Sequence, residues 1–177
     1  MRIEERAYER ITVKDLTRLC ELALRDLKEF FKQHPRYEPY KNSLILIALC
    51  QGAALHFIDG KEGVKDFDVW SFFAENSSIK LPYRRWKQVD SELDKFGMHP
   101  DDVKKSYKGR HIDLFMRTIE ADIVKRNRRD PEGCITEYLR AAKTKTARLL
   151  AKKAFVGLYP DTILGETLYQ SHLTREP

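Results

Sequence analysis

At 177 residues, with a net charge of +6 and three scattered cysteines, the chain suits one domain with its own core, spanning 1–177. Cys20, Cys50 and Cys134 form no CxxC pair, which argues against a zinc site or a disulfide framework and for a reducing, cytoplasmic setting. No apolar run reaches about 18 residues, so no membrane span is expected, and the charged amino end (Met1-Arg2-Ile3-Glu4-Glu5-Arg6) lacks the apolar stretch of a signal peptide.

Thr12-Val13-Lys14-Asp15 reads as a capping box opening a helix to about Gln33, with Leu16, Leu19, Cys20, Ala23, Leu24, Leu27, Phe30 and Phe31 at helical spacing. Leu44 to Cys50 is a continuous apolar run, expected as a strand buried on both faces. Gln51-Gly52-Ala53-Ala54 then turns tightly into a short helix, whose exposed N–H groups suit an anion. After a turn-rich loop, Val64 to Phe73 reads as a strand. Tyr83-Arg84-Arg85-Trp86 mixes arginines with aromatics, which suits bases and phosphates and equally suits a surface turn. A helix is expected over Trp86 to Phe96, ended by Gly97, and another helix start at Pro100-Asp101-Asp102. His111 to Met116 is a further strand. Two helices, Ile135 to about Lys143 and Thr146 to about Leu158, form a C-terminal helical part over about 133–160, before a polar tail. Strands interleaved with helices predict an α/β (α+β) fold, with a small mixed sheet flanked by helices.

Three aspartates carry the chemistry. On a strand, alternate side chains share a face, so Asp66 and Asp68 project together. Asp113 sits between Ile112 and Leu114 in a second apolar strand, where an unpartnered acid would cost several kcal/mol. If the strands adjoin, the carboxylates converge on a site for a hard divalent cation, Mg²⁺ or Mn²⁺. His56 and His111 read as lacking a metal-ligand partner at i+2 to i+4, so structural roles are expected for both. The basic excess favours polyanions such as nucleotides, RNA or DNA, or another acidic partner. Lys145, Arg148 and Lys152 would share one face of the second C-terminal helix, facing a phosphate or solvent.

In order and spacing these pieces resemble the nucleotidyltransferases of the DNA polymerase β superfamily, over about residues 13–118. In that family a strand leads into Gly followed by Gly or Ser, then an Asp-x-Asp strand, then a third acid on a later strand. Gly52-Ala53 follows the Leu44–Cys50 strand, twelve residues separate Ala53 from Asp66, and Asp113 fits the third acid. The resemblance implies that Asp66, Asp68 and Asp113 are both metal ligands and catalytic residues. It implies Mg²⁺ or Mn²⁺ as cofactor and a nucleoside triphosphate as substrate. Gly52 and Ala53, with Lys145, Arg148 and Lys152, would bind the nucleotide. The acceptor would be RNA, protein or a small molecule, as in toxin-type or modifying enzymes. The sequence departs from the pattern at Ala53, where the family has Gly or Ser, and at Lys65, where an apolar residue usually precedes the acids. The alternatives are a catalytically degenerate domain of the same fold that binds nucleic acid or protein, and an unrelated basic α/β protein.

Overall fold

The computed structural model describes residues 2–82 and 86–174. The fold is α/β: a six-stranded mixed sheet with helices on both faces. In chain order the elements are α1 (Val13–Gln33), β1 (Leu44–Cys50), α2 (Gln51–Asp59), β2 (Phe67–Ala74), β3 (Trp86–Asp90), β4 (His111–Ile119), α3 (Ala121–Arg126), α4 (Pro131–Ala141), α5 (Lys145–Leu150), β5 (Ala154–Tyr159) and β6 (Thr167–Gln170). The sheet order is β3-β4-β2-β1-β5-β6. β2 and β4 run parallel, and the other described pairs run antiparallel. Among the described residues no helix is long and apolar enough to cross a membrane.

Local chemistry explains most of these elements. The capping box at Thr12 forms: Asp15 N–H donates to Thr12 Oγ1 (3.4 Å), and Thr12 N–H donates to Asp15 Oδ2 (2.6 Å). From there α1 buries Leu16, Leu19, Ala23, Leu27 and Phe31 against one face of the sheet. β1 is buried along nearly its whole length, as its unbroken apolar run requires. Alternation then sorts β2 and β4. Phe67, Val69 and Phe73, with Ile112, Leu114 and Met116, join the cluster under α1 and α2. Phe72 and Ile119 join the cluster under α3, α4 and α5.

Three expectations are corrected. Residues from Trp86 are not helical: Trp86–Asp90 is strand β3, paired with β4, and only Asp94–Phe96 forms a single 3-10 turn. The expected helix from Thr146 to Leu158 is a six-residue helix, α5, followed by strand β5. Ala154-Phe155-Val156-Gly157-Leu158-Tyr159 pairs with β1, and this non-local pairing outweighs the helical propensity of the preceding residues. Gly157 is needed there, because a Cβ would lie 2.1 Å from the Ile163 carbonyl oxygen. The C-terminal part is therefore helical only through Leu150. The polar tail also contributes structure, since Thr167–Gln170 is edge strand β6. Tyr83, Arg84 and Arg85 lie outside the described residues, and Trp86 is exposed on β3.

Candidate metal centre

The parallel pairing of β2 with β4 sets Asp68 directly opposite Asp113, on neighbouring strands roughly 4.8 Å apart. Asp66 is not on the strand as expected: it lies one residue before β2, just after the bend at Lys65. On the other side of β2, Asp68 faces Cys50, the last residue of β1, from which α2 starts. The acids thus gather where β2 and β4 begin and β1 ends. That end of the sheet faces the side of α3–α5, but the apolar layer stops at Trp70 and Phe115, whose rings stack at 4.5 Å.

Ligand atoms from Asp66, His111 and Asp113 lie within 4.8 Å of one another. The group can hold a metal ion. His111 begins β4 two residues before Asp113, so the two side chains share a face. Its Nε2 is 3.8 Å from Asp66 Oδ2 and 3.9 Å from Asp113 Oδ1. Its Nδ1 is 2.5 Å from Oδ2 of the fully buried Asp102. Asp102 also accepts a hydrogen bond from Lys105 Nζ (2.9 Å). Burial alone would raise the Asp102 carboxyl, but the hydrogen bonds from His111 and Lys105 prevail and hold it below its ordinary value. Lys105 reaches on to Gln88 Oε1, and Gln88 Nε2 donates to Asp113 Oδ1 at 2.9 Å. Asp113 is therefore oriented from β3 as well as from its own strand.

Asp68 is not one of the three closest ligands, yet it feels them. Burial first, then the charges of Asp66 and Asp113, push its carboxyl up to about 7. Lys153 and Lys65 oppose that rise. Crowded carboxylates of this kind are relieved by a bound cation, and the donor set of two to three carboxylates fits one.

A buried arginine frames the centre. Arg110 immediately precedes His111 and is fully buried. Its guanidinium donates to the carbonyls of Phe96 (3.0 Å), Glu5 (2.9 Å), Lys65 (2.9 Å) and Glu4 (2.7 Å). The Lys65 bond fixes the bend that carries Asp66.

The expected phosphate contacts divide. Gly52 is half-buried at the start of α2, beside the centre: a Cβ there would lie 3.8 Å from both Glu62 Oε2 and Lys153 Nζ. Ala53 points into the apolar core. Gln51, before them, adopts a left-handed conformation (φ 59°) that a non-glycine residue takes only under strain. Lys145 and Arg148 are exposed on α5, where Arg148 donates to the Ala142 carbonyl (3.2 Å). Lys152 lies past the end of α5, so the three do not form one helical face. The basic residue beside the acids is Lys153, just ahead of β5, which pairs with Glu62 at 3.4 Å.

His111, Asp102 and Lys153 were not expected at the site. For His111 the signal is present in the sequence, since it stands two residues before Asp113 on the same strand. Asp102 and Lys153 arrive through tertiary placement. A separate cavity of about 300 Å³ lies toward the other ends of β2 and β4, lined by Tyr40, Glu75, Met116, Arg117 and Tyr138 among others, and contains none of the acids. The three cysteines are buried, and burial raises each thiol, Cys20 and Cys134 to about 11, which disfavours thiolate chemistry. No family model, curated protein or solved structure matches this chain, so its function is argued from the site alone.

Proposed function

We propose that the chain is a metal-dependent nucleotidyltransferase, moving a nucleoside monophosphate from a nucleoside triphosphate to an acceptor hydroxyl. The observation that carries this reading is Asp68 opposite Asp113 on parallel strands, with Asp66 adjoining, beside the strand-to-helix turn at Gly52. Asp66, Asp68 and Asp113 would hold Mg²⁺ or Mn²⁺. Such an ion, when bound, neutralises triphosphate charge and lowers the pKa of the acceptor hydroxyl. The acceptor oxygen attacks the α-phosphorus, the bond to the bridging oxygen breaks, and pyrophosphate leaves. Asp113, oriented by Gln88, takes the acceptor proton. The free N–H groups at the start of α2 and the Lys153 ammonium face the phosphates. Lys145, Arg148 and Lys152 contribute at longer range, through exposed charge that draws in the triphosphate or an RNA acceptor.

A second reading, a degenerate domain of this fold that binds nucleic acid or a protein without catalysis, is favoured by Ala53, which offers no hydroxyl to a phosphate. One experiment separates the two. The full chain is incubated with Mg²⁺ or Mn²⁺ and each labelled nucleoside triphosphate, with RNA and protein acceptors, beside an Asp66→Ala/Asp68→Ala variant. Label transfer that the variant loses is the expected result. Absence of transfer with every nucleotide, together with nucleic-acid binding unchanged in the variant, overturns the enzyme reading in favour of the second.

A further inference from the structure

We propose that His111 is a nitrogen ligand which, with Asp66 and Asp113, makes a centre for a transition-metal dication, and that Asp102 is the positioning residue that aims it. The inference uses the same carboxylates as the proposed function but does not depend on nucleotidyl transfer.

The imidazole is held in one orientation by its Nδ1 contact to Asp102, at 2.5 Å. Asp102 is fully buried and already bonded to Lys105 (2.9 Å), so it acts as the acceptor and the ring proton sits on Nδ1. The Nε2 lone pair is then turned toward Asp66 and Asp113, at 3.8 Å and 3.9 Å, beyond hydrogen-bond reach of either. Only 8% of the His111 side chain is exposed. Three potential ligand atoms from three residues therefore converge within 4.8 Å, with Asp113 also accepting from Gln88 Nε2 at 2.9 Å. A cation is the group that satisfies all three. A metal-binding histidine whose other ring nitrogen donates to a carboxylate is the usual way a protein fixes the tautomer and orientation of such a ligand.

The donor set also ranks the ions. Mg²⁺ takes oxygen ligands, whereas imidazole beside carboxylates suits Mn²⁺, Fe²⁺, Co²⁺ and Zn²⁺. The nitrogen-bearing centre at His111 is one that retains a transition metal against excess Mg²⁺.

The test uses the full chain, stripped of metal with a chelator and titrated with Mn²⁺ alone. Pulsed electron paramagnetic resonance is expected to show coupling from an imidazole nitrogen to the bound Mn²⁺, and His111→Gln is expected to lose it. Asp102→Asn is expected to keep the coupling while binding Mn²⁺ roughly 10–100-fold more weakly. If His111→Gln does not fold, ¹⁵N-histidine labelling of the unaltered chain reads the same point: Zn²⁺ is expected to shift Nε2, not Nδ1, of one histidine. Bound Mn²⁺ without nitrogen coupling, equal affinity in a folded His111→Gln, or no shifted Nε2 overturns the proposal. In that last case the ring is an imidazolium paired with the carboxylates. The two readings fail separately: nitrogen-coupled Mn²⁺ without label transfer removes only the nucleotidyl step, and label transfer without coupling removes only the ligand.

Discussion

On the sheet face beneath α1 and α2, β2 presents Phe67, Val69 and Phe73 around the small buried Ser71, and β4 presents Ile112, Leu114 and Met116, whereas on the opposite face β2 begins with Asp68 and β4 with His111 and Asp113, and both turn apolar only at Trp70 and Phe115. One residue of register separates the two environments. The difference teaches where charge can be kept in a small domain: not at the sheet centre, but where one of the two covering layers stops short. There Asp68 and Asp113 stay on rigid strands, which fixes their geometry, while remaining reachable from outside. The cost is burial of charge together with self-repulsion, visible in the raised carboxyl of Asp68.

The largest expected effect lies at the charged end. Arg110→Ala would strand the carbonyls of Glu4, Glu5, Lys65 and Phe96, and is expected to destabilise the fold by about 3–5 kcal/mol in denaturant unfolding. A loss below about 1 kcal/mol would mean that this end is held by its apolar neighbours after all.

The next effect contrasts the faces by the sign of their pH response. Asp68 is raised to about 7 in the fold, so the native state binds its proton more tightly than the unfolded chain does. Its contribution is fully present below about pH 4 and is lost as pH rises through 7, worth a few kcal/mol in the metal-free protein. Asp15, on the closed face, shifts the other way: burial raises it, but hydrogen bonds from Lys95 and Thr12 prevail and lower it. Its contribution is present above about pH 4 and is lost as the solution is acidified through its folded value. Asp68→Asn is therefore expected to stabilise the metal-free protein at pH 8 and to flatten its stability profile between about pH 4 and 7. An unchanged profile would show that neither burial nor the neighbouring acids raise the Asp68 carboxyl.

The smallest effect belongs to the closed face. Asp15→Asn is expected to cost about 1–2 kcal/mol at neutral pH, by weakening the α1 cap and its pairing with Lys95. Little or no difference in thermal unfolding would place the stability of α1 wholly in its apolar stripe.

What the sequence disclosed follows the range of the forces involved. α1 announces itself by a cap and a periodic stripe, and β1 by an apolar run, both local signals. The α/β class followed from those elements. The convergence of Asp66 and Asp113 is legible in the sequence only on the condition that their two segments adjoin, which the parallel pairing of β2 with β4 meets. β3 and β5 were misread as helix because their strand state rests on pairing with β4 and β1, which no short window contains. Asp102 escaped notice for a similar reason: nothing in Pro100-Asp101-Asp102 indicates that the third residue turns inward to His111. Helical spacing points to Lys152 and not Lys153 because it runs on through the turn that separates α5 from β5.

The bonds of Arg110 to the Glu4 and Glu5 carbonyls have a consequence for how the protein is handled. The amino-terminal segment and the entry to the Asp66 bend share one guanidinium, and the next residue along the chain is His111. Trimming or fusing a tag at that end is thus an alteration of the candidate metal centre at a distance, and the length of the amino-terminal arm belongs among the variables of any assay of this site.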